Sequence, residues 1–367
     1  MRYYLLAGEP SGDLHGRALC EALRRADPQA EIRFRDSSRM VSAMGIAEVA
    51  SHAGAFLRCR REVRRELRAF RPEVFIPIDY PGFNLPMAHF AHRLGIRVYY
   101  YIVPKLWARN EKRIARIRRD VDRLYVLFPF EVEYFGRFGV EARYFGNPLG
   151  AHIAQKAASE HFSPAPHKRT IALLPGSRNH EIAWLTPRYS ELEKLLRADR
   201  RWDGYELVIA AAPGRTAADF RPYLAPESRI RVVTGCTYAL LREAEAAVVC
   251  SGTASLEAAL LGTPQLICYG FHPLTWQIAK RVVKTPYVGL PNIILGKLVV
   301  RELLQKEAAP EKLLAELARI TFDPEARSAM QEAYATLRAQ LDRPDPLQAI
   351  AADIVAGSAP QGPHRVR

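Results

Sequence analysis

Arg178 closes the run Leu173-Leu174-Pro175-Gly176-Ser177-Arg178, an apolar strand pattern that stops at a Pro-Gly-Ser turn and feeds a helical one. A guanidinium in that place can fork onto two phosphate oxygens and neutralise the charge that grows as a diphosphate departs. About 75 residues further on, Val248-Val249-Cys250 ends in Ser251-Gly252-Thr253-Ala254-Ser255, with Glu257 one helical turn beyond. Both turns are expected to offer unpaired backbone N–H groups at a helix N-terminus, where the macrodipole also favours an anion. Ser177, Ser251, Gly252, Thr253 and Ser255 are the expected phosphate-side groups, and a carboxylate at Glu257 suits the two hydroxyls of a ribose. The plain alternatives are a surface arginine and a glutamate that merely complements the helix dipole. No Gly-x-Gly-x-x-Gly or Walker A run is present, so the glycines alone decide little. A nucleotide held from two sides is the expectation.

Asp79 ends the apolar run Phe75-Ile76-Pro77-Ile78 and precedes Tyr80-Pro81-Gly82-Phe83-Asn84. A carboxylate on so rigid a support can take the proton of an attacking hydroxyl as general base; the alternative is an aspartate that caps the following turn. The first strand-to-helix turn, Ala7-Gly8-Glu9-Pro10-Ser11-Gly12-Asp13, places Glu9, Ser11 and Asp13 with Asn84 on the edge where an acceptor would enter. Ser11 is not in the Gly-x-Ser-x-Gly elbow of hydrolases and is a poor nucleophile. His15 and His272 lack partners at metal-ligand spacing. Cys20, Cys59, Cys236, Cys250 and Cys268 are scattered without a Cys-x-x-Cys pair, so neither a zinc site nor a disulfide framework is expected.

The elements that must position these groups alternate. Strands are expected at 3–7, 31–34, 74–78, 98–102 and 123–127, then at 171–174, 207–211, 231–233, 247–250 and 265–269, with helices between them. Such βαβ order gives an α/β chain with mostly parallel sheets. Two Rossmann-like, doubly wound domains are expected, 1–165 and 166–345, with 346–367 as a helix end and frayed tail. Ligands in such sheets bind beyond the carboxyl ends of the strands, which puts the expected cleft between the two halves. The stretch from Glu302 to Ala356 reads as helical and charged.

The chain of 367 residues is 49% hydrophobic and 25% charged, an ordinary globular composition, with a net charge of +14. Arg58, Arg60, Arg61, Arg64, Arg65 and Arg68 crowd one helical pattern whose inner face is Phe56, Val63, Leu67 and Phe70. Lys105, Arg109, Lys112, Arg113, Arg116, Arg118, Arg119 and Arg123 form a second basic stretch beside Trp107. Such surfaces attract polyanions: nucleic acid, an anionic bilayer or a phosphorylated substrate. No nucleic-acid-binding module pattern accompanies them, and nucleic acid is not the expected partner. Neither a transmembrane run nor a signal-peptide core is read, so a cytoplasmic location is expected.

Ala7–Asp13, Ile78–Asn84, Phe128-Pro129-Phe130-Glu131, Gly146-Asn147-Pro148, Leu174–Arg178, Ser251–Glu257, Ala279–Thr285 and Leu290-Pro291-Asn292 together resemble the motifs of the lipid-A-disaccharide synthases, in the same order. The resemblance implies an inverting glycosyltransferase of GT-B fold, peripheral on the inner face of the cytoplasmic membrane. It would join UDP-diacylglucosamine to the 6-hydroxyl of diacylglucosamine 1-phosphate, forming a β(1→6) bond and releasing UDP. By this resemblance Asp79 is the base, Arg178 contacts the leaving diphosphate, and Glu257 and Asn292 help hold the nucleotide. No cofactor and no metal are implied, and a homodimer is compatible with it. A UDP-N-acetylglucosamine 2-epimerase or other GT-B enzyme, and a nucleic-acid-binding protein, are the alternatives; Ala7–Asp13 and Asp79 argue against the epimerase. One departure is the passage from Arg33–Met40 almost directly to Met44-Gly45, where the family carries a longer Gly-Gly-rich and apolar segment.

Overall fold

A computed structural model describes residues 1–38, 49–103, 106, 111–270 and 285–358. The chain divides into two compact units, Met1–Pro148 with the C-terminal segment from Arg343, and Leu149–Asp342. Sequence patterning sets the first division near residue 165. The units divide earlier because 149–159 is a helix packed on helices of the second unit.

Among the described residues of the first unit, six parallel strands, β1 (Arg2–Ala7), β2 (Glu31–Arg35), β3 (Val74–Ile78), β4 (Arg97–Tyr101), β5 (Arg123–Val126) and β6 (Ala142–Tyr144), run in the order β2-β1-β3-β4-β5-β6. The connecting helices are α1 (Pro10–Ala26), α2 (Val49–Phe70), α3 (Pro81–Arg93), α4 (Ile114–Asp120) and α5 (Pro129–Gly136). Strands covered on both faces read as continuous apolar runs. In β1, Tyr3 and Leu5 pack towards α1, while Tyr4 and Leu6 pack with Val63, Leu67 and Phe70 of α2. Pro10 opens α1 at its first position, so Ser11–Asp13 form its first turn rather than its cap, and Glu9 is the N-cap.

The second unit has α6 (Leu149–Ser159), β7 (Arg169–Leu174), α7 (Asn179–Ala198), β8 (Tyr205–Ala211), β9 (Arg231–Thr234), α8 (Thr237–Glu243), β10 (Ala244–Cys250), α9 (Thr253–Leu261), β11 (Gln265–Tyr269), α10 (Leu290–Leu295), β12 (Glu302–Leu304), α11 (Pro310–Phe322) and α12 (Pro324–Leu341). Its sheet, again parallel, has the order β12-β11-β10-β7-β8-β9. Residues 302–304, expected to be helical, are a strand: Leu303 is buried and pairs with Cys268 on β11.

The last helix, α13 (Pro346–Ser358), returns to the first unit, where Ile350, Ala351 and Ile354 join the core formed by Tyr3, Leu19, Leu23, Tyr99 and Tyr125. Asp353 ties it down, accepting from Arg143 (2.6 Å), Arg123 (3.0 Å) and the Tyr125 hydroxyl (2.6 Å).

Both sheets change direction once. In the first the switch lies between β1 and β3, in the second between β7 and β10. The crevice beyond the carboxyl ends of strands at such a point is where open α/β sheets take their ligands. The turns singled out from sequence follow these four strands.

Candidate functional site

In the second unit, β7 delivers Gly176-Ser177-Arg178 to the N-terminus of α7. Gly176 adopts φ +93°, and a Cβ there would run into the Glu181 carboxylate and Cys250 Sγ. The backbone N–H groups of this turn are not unpaired as expected. Glu181, buried at 4%, accepts from the N–H of Ser177 and of Arg178, both at 3.0 Å, in a capping arrangement. Its other oxygen takes the Arg178 guanidinium at 2.9 Å. The protein's own carboxylate thus fills the anion position of α7. Arg178 stays 70% exposed, its pKa raised by Glu181.

The neighbouring turn after β10 differs. Gly252 is the N-cap of α9, and the first turn of that helix carries no acid. Ser251 donates to the Val288 carbonyl (2.9 Å), and the buried Ser255 donates to the Gly252 carbonyl (2.8 Å), so both hydroxyls shape the turn. Thr253 is exposed. Glu257 is half-buried, and burial pushes its carboxyl up to about 7, with Lys156 and the Tyr238 hydroxyl opposing the rise and Glu160 adding to it.

Asn292 is fully buried and satisfied. It donates to the Val300 carbonyl (2.7 Å) and Glu302 (2.8 Å) and accepts from the N–H of Val299 and Val300, both at 2.8 Å. It therefore fixes the chain around Glu302, which in turn accepts from the N–H of Val288 and Gly289. Arg215, which sequence reasoning missed, forks onto the Ser177 carbonyl from Nε (3.0 Å) and Nη2 (2.7 Å) and pairs with Asp219 (3.1 Å). Its only sequence signal is the Pro-Gly-Arg turn after β8, a weaker copy of the one after β7.

In the first unit, Asp79 and Tyr80 follow β3 with φ +46° at each. Left-handed backbone at two successive non-glycine residues costs on the order of 1–3 kcal/mol apiece and persists only where surroundings enforce it. Asn84, 0% exposed, donates to the carbonyls of Ile78 (2.9 Å) and Asp79 (2.7 Å). The Tyr100 hydroxyl donates to the same Asp79 carbonyl at 2.6 Å. Asn84 thus shapes the turn from inside. Gly8 brings the first turn alongside, since a Cβ there would meet the Tyr80 ring. Glu9 is exposed, and its charge, after burial, raises the pKa of Tyr80. Asp13 accepts from the Ser37 N–H (2.7 Å) and hydroxyl (2.5 Å), an anchor for the chain leaving β2. The Ser11 side chain lies outside the described residues, as do Lys105, Trp107, Arg109, His272, 279–284 and the short passage at 39–48.

The acids of α2 turn inward. Glu62 and Glu66 both pair with Arg35 of β2, at 2.7 and 2.5 Å. Arg58, Arg61 and Arg65 are left exposed, and Arg64 and Arg68 lie over the Phe90 ring, each 5.0 Å from its centroid. The outer face of α2 is consequently basic. No helix among the described residues is long and apolar enough to cross a membrane.

A family model described as lipid-A-disaccharide synthetase matches residues 3–349. A relative named lipid-A-disaccharide synthase from Geobacter metallireducens is 35% identical over 359 residues, covering 93% of each chain. One of the same name from Chromohalobacter salexigens is 33% identical, covering 99% of this chain and all of its own. Among solved structures, UDP-GlcNAc 2-epimerase from Neisseria meningitidis superposes with a TM-score of 0.63 at 10% identity, covering 98% of this chain and 99% of that one. The Methanocaldococcus jannaschii UDP-GlcNAc 2-epimerase gives 0.58 at 14%, covering 97% and 99%. These likenesses establish the GT-B fold.

Proposed function

Because the chain belongs to the lipid-A-disaccharide synthase family, we propose that it condenses UDP-2,3-diacylglucosamine with 2,3-diacylglucosamine 1-phosphate, giving the β(1→6)-linked disaccharide 1-phosphate and UDP. The reaction is an inverting displacement. The acceptor 6-oxygen attacks the donor anomeric carbon, the bond from that carbon to the β-phosphate oxygen breaks, and the hydroxyl proton passes to Asp79. Inversion needs one base and one stabilised leaving group. Asp79 is the base. Arg178, with the acid-free N-terminus of α9 at Ser251–Ser255, meets the charge that grows on the diphosphate, and Glu257 accepts the ribose hydroxyls. Ser177 belongs to the diphosphate turn, Asn292 acts on the donor through the backbone it holds, and Glu9, Ser11, Asp13 and Asn84 belong to the acceptor side.

The observation that carries this reading is the placement of both donor turns after β7 and β10, the two strands at the switch point of the second sheet. In the first unit Asp79 occupies the equivalent position after β3. We place the protein peripherally on the inner face of the cytoplasmic membrane, with the basic face of α2 towards anionic headgroups. Incubation with both lipid substrates tests the function: one UDP and one disaccharide 1-phosphate should form per turnover. Conversion of UDP-N-acetylglucosamine to its 2-epimer without disaccharide formation would overturn it.

A further inference from the structure

We propose that Tyr100 is a positioning residue for the proton-accepting step, acting through the main chain of Asp79; the inference rests on the reading of Asp79 as base. Asp79 and Tyr80 both lie at φ +46°, a backbone that side chains other than glycine rarely hold unaided. The direction of the Asp79 carboxylate therefore depends on whatever clamps this pair. Two groups do so from the interior, and both act on one atom: the Asp79 carbonyl oxygen takes the Asn84 amide at 2.7 Å and the Tyr100 phenol at 2.6 Å. With one donor on each lone pair, that carbonyl is saturated.

The two clamps come from different elements. Asn84 lies in the first turn of α3, directly after the strained pair. Tyr100 reaches across from the neighbouring strand β4, where Tyr101 already accepts the Asp79 N–H at 3.1 Å. The peptide groups around Asp79 are thus held by β4 on both sides of its Cα. Tyr100 is 0% exposed, and burial first, then the charge of Asp79, keeps its hydroxyl protonated as a donor. Its ring packs in the cluster of Leu85, Leu106, Ile114 and Leu124, which fixes where the hydroxyl points. A phenylalanine would fill that space equally well. The hydroxyl adds nothing to packing; it adds the second donor to the Asp79 carbonyl.

Steady-state kinetics of Tyr100→Phe, alone and combined with Asp79→Asn, test this. Tyr100→Phe should lower kcat about tenfold, the scale of a small misplacement of a catalytic group, with KM for both substrates within about twofold of wild type. In the Asp79→Asn background the same change should cause no further loss, since there is no carboxylate left to aim. A loss of stability alone would lower the activity of both backgrounds equally. Wild-type kcat in Tyr100→Phe, with Asp79→Asn inactive, would overturn this proposal and leave the base reading standing. A full tenfold further loss in the double variant would also overturn it. Undiminished turnover in Asp79→Asn would remove the base reading and this proposal with it.

Discussion

Glu181 holds Arg178 at both ends, taking its backbone N–H at 3.0 Å on one carboxylate oxygen and its guanidinium at 2.9 Å on the other. The arginine is thereby aimed without being buried. On the proposed reading, a diphosphate would meet a cation already in place and would not need to enter the helix N-terminus that Glu181 fills.

Arg178→Ala should therefore separate function from stability. With the side chain 70% exposed, loss of the pair should change unfolding free energy by no more than about 1 kcal/mol. UDP affinity should fall about tenfold, and kcat should fall as well, because the guanidinium meets charge that is greatest in the transition state. Calorimetric UDP titration and thermal melts check both halves.

As the proposed acceptor of the ribose hydroxyls, Glu257 should make donor binding depend on pH. Burial pushes its carboxyl up to about 7 in the folded protein, from 4.5 for a solvated glutamate. Ribose hydroxyls need the carboxylate as acceptor, so UDP affinity should drop as pH is lowered from 8 to 6, and Glu257→Gln should bind weakly and equally at both. Stability runs the other way. Between 4.5 and 7 the folded state keeps a proton the unfolded chain has lost, so this group's contribution is full below about 4.5 and is lost as pH rises through 7. Denaturant unfolding should find Glu257→Gln more stable than wild type at pH 8, by about 1–3 kcal/mol, and the two nearly equal at pH 4.

Asp353 is the point where the C-terminal helix is tied to the first sheet. Asp353→Ala leaves Arg123, Arg143 and the Tyr125 hydroxyl without their shared acceptor. It should destabilise the protein by roughly 2–4 kcal/mol, measured by urea unfolding, with UDP affinity in the folded protein unchanged.

The basic face of α2 should dock on anionic lipid. Neutralising Arg60, Arg61, Arg64 and Arg65 together should reduce co-sedimentation with phosphatidylglycerol vesicles by roughly tenfold or more at low salt, at about 1 kcal/mol for each basic residue near the surface. Sedimentation equal to wild type would remove α2 as the docking face.

Much of this was legible in the chain itself, for a physical reason: strands of a sheet covered on both faces are uninterrupted apolar runs. Val74–Ile78 and Gln265–Tyr269 stand where the pattern puts them. β6 and β12, three residues each, carry too short a run to be read, and Glu302 hides the second among charges. Asp79 in the first unit and Arg178 in the second are legible as residue types just past strand ends, and Glu257 as an acid one helical turn beyond another. The closure of the Arg178 and Ser177 N–H groups by Glu181 follows from i, i+3 and i, i+4 spacings that the sequence does contain, a capping signal lying in the same turn as the anion-site pattern. The double clamp on the Asp79 carbonyl has no such local signal, because Tyr100 reaches it only through the register of β3 against β4. The place of Asn292 among Val299, Val300 and Glu302 depends on a loop no spacing rule describes.

Turnover and UDP affinity of Asp79→Asn, measured side by side, test the central claim most directly. The substitution keeps shape and removes the basic oxygen. Turnover to disaccharide should fall by roughly 10² or more, with the dissociation constant for UDP within about twofold of wild type. Disaccharide formation at an undiminished rate would contradict the assignment of Asp79 as the base.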